Sequence, residues 1–103
     1  MPQQLSEKLM QAIQVMGRDY LIRKIVLFGS RARGEAKPTS DIDLAVYALP
    51  GFTDQGRFAS RLDDLETLLK IDLVYVDEAT DRKLLDNIRQ EGVVIYEQSS
   101  NQV

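Results

Sequence analysis

The 103-residue chain contains no cysteine and no histidine. Without cysteine there is no disulfide framework, no thiolate nucleophile and no zinc–cysteine site. Without histidine the commonest general base is missing, along with every histidine-containing triad and zinc motif. No apolar run approaches the roughly 20 residues of a membrane span. Residues 1–20 interleave Gln, Ser, Glu, Lys and Arg with apolar positions. No secretory signal is read there, and a cytoplasmic location is expected. A marked excess of basic charge is also missing. Thirteen basic residues face sixteen acidic ones, for a net charge of -3. That balance argues against direct nucleic-acid binding. Any catalysis falls to carboxylates, hydroxyls, cations and backbone dipoles.

What is present supports a small globular domain. Hydrophobic residues make up 44% and charged residues 28% of the chain. A chain of this size buries roughly two thirds of its unfolded surface, enough for one core but not for a separate substrate domain. One domain is expected over 1–103, with 98–103 as a frayed tail. No repeat, linker or low-complexity tract interrupts it.

Apolar periodicity divides the chain into alternating elements. Leu5, Leu9, Ala12, Ile13 and Met16 recur at helical spacing, and Gly17 reads as the stop. Lys24 to Phe28 is a short β-forming run that ends in Gly-Ser. Gly34 to Ser40 has the composition of a loop. Ile42, Leu44 and Val46 then alternate with Asp41, Asp43 and Ala45, the pattern of a second strand. After a Pro50-Gly51 turn, Phe58, Leu62, Leu65, Leu68 and Leu69 form a second helical stripe, with Thr53 or Asp54 as its cap. Ile71 to Val76 is a third strand. Leu84, Leu85 and Ile88 mark a third helix that ends at Gly92, and Val93 to Tyr96 is a fourth strand. The expected architecture is α/β (α+β, two layers): a mixed sheet of about four strands with helices on one face. Strands two and three, joined through a helix, are expected to be parallel; strands one and two are compatible with an antiparallel pair.

This arrangement gathers Gly29-Ser30, Asp41, Asp43 and Asp72 at one end of the sheet. Side chains alternate along a strand, so burying Ile42 and Leu44 under the helices leaves Asp41 and Asp43 together on the other, open face. Asp72 joins them if strands two and three are parallel neighbours. Carboxylates about 4 Å apart repel by roughly 1 kcal/mol in water and 4 kcal/mol at an effective dielectric of 20. A hard cation is their natural counter-charge, and magnesium favours a few carboxylates, waters and phosphate oxygens. Gly29 permits a close backbone approach to phosphate, Ser30 offers a hydroxyl, and Arg31-Ala32-Arg33 can open a short helix facing a triphosphate. Arg31 or Arg33 is able to reach phosphate oxygens.

Gly29-Ser30, ten intervening residues and Asp41-Ile42-Asp43 together resemble the signature of the DNA polymerase β-type nucleotidyltransferases. The string GSRARGEAKPTSDIDLAV is similar to that of the minimal nucleotidyltransferases in particular. Asp72 in IDLVYVDE matches their third carboxylate, and IRQEGVVIYE their last helix and strand. The resemblance runs from about Ile22 to Glu97. It implies that Asp41, Asp43 and Asp72 are catalytic and hold one or two Mg2+ ions. It implies that Gly29 and Ser30, with Arg31 and Ser40 beside them, bind ATP or another NTP. It also implies a separately encoded, small all-helical partner, a HEPN toxin or a substrate-binding subunit. AMP would then pass from ATP to a hydroxyl of that partner, with this chain as antitoxin.

Each feature also has a plainer reading. A lone D-x-D is usually a solvated strand edge, and Gly-Ser is often only a turn. No Gly-Lys-Ser/Thr follows, so the turn is not a P-loop. Arg31 and Arg33 fit loop structure better than a specific phosphate contact. Asp63, Asp64 and Glu66 read as a solvated helix face; Asp77, Glu78 and Asp81 as the charged start of the third helix; Tyr75 and Tyr96 as packing residues. Two alternative functions stand beside the enzyme: a non-catalytic module that neutralises or scaffolds a helical partner, and a small-molecule nucleotidyltransferase whose acceptor site a partner supplies. A hetero-oligomer and a homodimer are both compatible with the chain.

Overall fold

A computed structural model describes residues 5–65 and 69–98. The elements are α1 (Glu7–Asp19), β1 (Ile22–Phe28), α2 (Ser30–Arg33), β2 (Ile42–Ala48), α3 (Gln55–Asp63), β3 (Ile71–Tyr75), α4 (Arg82–Glu91) and β4 (Val93–Glu97). They build one mixed four-stranded sheet in the order β3-β2-β1-β4. β1 is antiparallel to both β2 and β4, whereas β2 and β3 run parallel. The mixed sheet, the parallel pair and the antiparallel pair match the sequence pattern. So does the short helix after Gly29.

The helices do not all share one face. Ile25, Leu27, Ile42, Leu44 and Val46 point to α1 and α3, where Leu9, Ile13, Met16, Phe58 and Leu62 complete the main core. Val26, Phe28 and Ala45 point the other way and pack against Ile88 of α4. The reason lies in β1. It is a central strand with four consecutive buried apolar residues, Ile25 to Phe28, so it needs cover on both sides. The expectation of helices on one face therefore holds for α1 and α3 and fails for α4.

Two helix ends also differ from expectation. Gly17 does not stop α1, which is capped by Ser6 through the Leu9 amide (3.1 Å) and runs on to Asp19. A Cβ on Gly17 would stand 2.5 Å from Cδ2 of Tyr96, so glycine is needed there for close packing. α3 ends at Asp63, short of Leu65 and Leu69, which still pack on the core edge. Adjacent carboxylates at Asp63 and Asp64 oppose the helix dipole at that terminus. Asp54 takes the N-cap position of α3 without a side-chain capping bond. Glu66, Leu68 and most of the expected tail lie outside the described residues. At the start of α4, Asp81 accepts from the Leu84 amide at 3.2 Å. Among the described residues, no helix is long and apolar enough to cross a membrane.

Candidate active site

The sheet register brings the distant carboxylates together. Asp43 and Asp72 are directly paired residues of the parallel β2–β3 ladder. Asp43 also pairs with Phe28 at the end of β1, so Gly29 begins its turn beside the same carboxylate. Asp41 lies just before β2, where the Ile42 amide donates to the Lys70 carbonyl at 2.8 Å. The group sits on the face that carries α4, at one end of the sheet, and not on an open face.

The turn after β1 requires glycine. Gly29 has φ 80°, and a Cβ there would lie 2.5 Å from Oδ2 of Asp43. Side chains strongly disfavour that backbone region, and the space already belongs to the carboxylate. Ser30 then opens the four-residue helix α2, with Ala32 and Arg33 amides donating to the Gly29 carbonyl at 3.1 Å.

Charge is concentrated here. Asp43 is half-buried, and its carboxyl is raised from the ordinary aspartate value, first by burial. Repulsion from Asp72, Asp41 and Glu91 pushes the same way, while Arg33 opposes it. Lys70 Nζ lies 3.5 Å from Asp72 Oδ1, but its side chain is 72% exposed, so solvent screens the pair. The site therefore holds surplus negative charge supplied by hard oxygen donors, the donor chemistry that suits magnesium. As the side chains stand, no three acidic groups among the described residues converge into a metal cage. The fit rests on donor type, register and unmet charge.

Arg31 holds the loop before β2, as its plainer reading expects. It is buried, with 8% of its surface exposed. Its guanidinium donates to the carbonyls of Ser40 (3.0 and 3.2 Å), Pro38 (3.3 Å) and Lys37 (3.4 Å). Its planar fork thus pins the loop that delivers Asp41. Ser40 belongs to that loop: its hydroxyl accepts from the Lys37 amide at 2.9 Å. Both residues shape the approach to the carboxylates from within the backbone.

One residue at the site has no counterpart in the sequence reading. Glu91, the last residue of α4, accepts from the Gly29 amide at 2.7 Å and from Arg33 Nη1 at 2.9 Å. Arg33 is also paired with Glu35 at 2.9 Å. The only signal was the string IRQEGVVIYE, within which nothing marked Glu91 as facing Gly29.

The fold and this constellation define a nucleotidyltransferase domain. Residues 10–101 match the family described as polymerase beta, nucleotidyltransferase, and the chain belongs to that family. It is an enzyme domain of the nucleotidyltransferase class. A Methanocaldococcus jannaschii protein named as a protein adenylyltransferase is 37% identical over 75 residues, 69% of this chain and 84% of that protein. A structure described as a minimal nucleotidyltransferase superposes with a TM-score of 0.69 at 28% identity, covering 82% of this chain and 86% of the other. A toxin–antitoxin crystal structure with AMP-PNP gives a TM-score of 0.71 at 24% identity, covering 89% and 76% of the two chains. At that identity the toxin–antitoxin likeness speaks for the fold.

Proposed function

We propose that this chain is a magnesium-dependent adenylyltransferase that moves AMP from ATP to a hydroxyl of a partner protein, as the antitoxin of a HEPN-type pair. The observation that carries the reading is the pairing of Asp43 with Asp72 beside the glycine turn at Gly29. The adenylyltransferase-named relative supports AMP as the group transferred. The toxin–antitoxin likeness and the helical-partner resemblance support a separate protein as acceptor.

In this reading Asp41, Asp43 and Asp72 hold magnesium, and Gly29 and Ser30 receive the triphosphate. When bound, magnesium supplies the positive charge that offsets repulsion between carboxylates and phosphates. Gly29 keeps the backbone side-chain-free where phosphate must approach. Ser30 donates its hydroxyl to a phosphate oxygen. Asp72 accepts the proton of the attacking hydroxyl. A bond forms from that oxygen to the α-phosphorus, the bond from the α-phosphorus to its bridging oxygen breaks, and pyrophosphate leaves. Catalysis is then mainly positioning and charge stabilisation, which needs neither histidine nor cysteine.

The test is intact-mass spectrometry of the adjoining gene's product after incubation with the chain, ATP and magnesium. One or more added adenylyl groups are expected. An unchanged mass, or the same gain with Asp41→Asn/Asp43→Asn, contradicts the reading.

A further inference from the structure

We infer that Glu91 is a positioning residue for the nucleotide turn, acting as a capping carboxylate supplied from the far end of the chain. The inference rests on the nucleotidyltransferase reading of the site.

Gly29 is the N-cap of α2 and has no side chain with which to cap. In a capping box, a Glu or Gln at the third helical position reaches back to the amide of the N-cap residue. Here that position is Ala32, which has no acceptor to offer. Glu91 supplies the missing acceptor from 62 residues away, at 2.7 Å. Its second oxygen is held by Arg33 at 2.9 Å, so one carboxylate ties both ends of α2 to the end of α4. β4 follows directly and pairs with β1, Val93 opposite Leu27, which fixes α4 beside the turn.

Local preference argues against an acidic residue at that position. A carboxylate at a helix C-terminus faces the negative end of the dipole, and Glu91 also adds to the negative charge around Asp43. Such a local conflict is resolved by what the group holds in place. The amide of Gly29 is oriented by Glu91, and with it the turn that receives phosphate.

Amide hydrogen exchange at Gly29 tests this, together with the affinity for AMP-PNP and magnesium, on the full chain. Glu91→Ala is compared with Glu91→Gln, which keeps an acceptor oxygen, and with Asp86→Ala on the exposed side of α4. Glu91→Ala should speed Gly29 exchange by roughly tenfold or more and weaken AMP-PNP binding by a similar factor. Glu91→Gln should recover part of both, and Asp86→Ala should change neither. Unchanged Gly29 exchange in Glu91→Ala overturns the inference. So does tighter AMP-PNP binding, which would make Glu91 a competitor of phosphate, not a support for its turn. If the wild type itself fails to bind AMP-PNP, the reading of the site falls and takes this inference with it. A negative variant comparison beside a binding wild type removes the inference alone.

Discussion

Asp43→Asn should make the metal-free protein more stable, because burial and then the neighbouring carboxylates disfavour the charge on Asp43. Neighbouring strands lie about 4.8 Å apart, and charges on the paired residues Asp43 and Asp72 are taken at a separation of about 5 Å. At that distance two charges repel by roughly 0.8 kcal/mol in water and about 3 kcal/mol at an effective dielectric of 20. The Asp72 side chain is 39% exposed and Lys70 screens it further, which favours the lower end. A gain of about 1 kcal/mol is expected, or about 4–8 °C in Tm for a domain of this size. The pH dependence has a definite sign. The raised carboxyl of Asp43 means that the folded state holds this proton more tightly than the unfolded state. Its contribution is therefore present at acid pH and is lost as pH rises from the ordinary aspartate range through the raised value. The gap between variant and wild type should be widest near neutrality and close on acidification. Calorimetric scans in chelator across that range measure it. A variant that melts at or below the wild type near neutrality, or a gap independent of pH, would mean that the Asp43 charge does not destabilise the fold. Magnesium with ATP should stabilise the wild type by about 2.7 kcal/mol at a hundred times Kd and leave Asp43→Asn almost unmoved.

Gly29→Ala should cost about 1–3 kcal/mol in thermal unfolding, because it strains a left-handed turn and drives a methyl into Asp43; AMP-PNP binding should be lost with it. Arg31→Lys should not substitute for arginine, since one ammonium cannot reproduce the planar fork whose Nε and Nη2 both donate to the Ser40 carbonyl. Faster proteolysis between residues 35 and 40, relative to wild type, is the readout. Gly17→Ala should destabilise by about 1–3 kcal/mol in denaturant titration by displacing the Tyr96 ring, despite alanine's better helix propensity.

The strand pattern and the carboxylates were legible for one reason: strand residues alternate with a period of two. Ile42, Leu44 and Val46 needed burial, which placed Asp43 opposite them and made its meeting with Asp72 a matter of pairing direction. The face chosen by α4 was harder to read. Leu84 and Ile88 mark an apolar stripe but not the sheet surface that receives it. The four-residue apolar run of β1 held that information, since a strand buried on both faces must be covered twice. Gly17 misled because a glycine at a helix end and a glycine under an aromatic ring look the same in one dimension. A loop role for Arg31 was legible, but not its partners, because the carbonyls of Lys37, Pro38 and Ser40 carry no side-chain signature. Glu91 was invisible because its partner, the Gly29 amide, belongs to the backbone of a distant segment.

If the paired carboxylates beside Gly29 transfer AMP, the α-phosphate of ATP ends on the acceptor and the γ-phosphate does not. The direct measurement uses ATP labelled at either the α- or the γ-phosphate, with magnesium and the adjoining gene's product. Label should appear on the acceptor from α-labelled ATP only, and be lost in Asp41→Asn/Asp43→Asn while the two proteins still co-purify. Transfer from γ-labelled ATP, no transfer at all, or equal transfer by the double variant would contradict AMP transfer by these carboxylates.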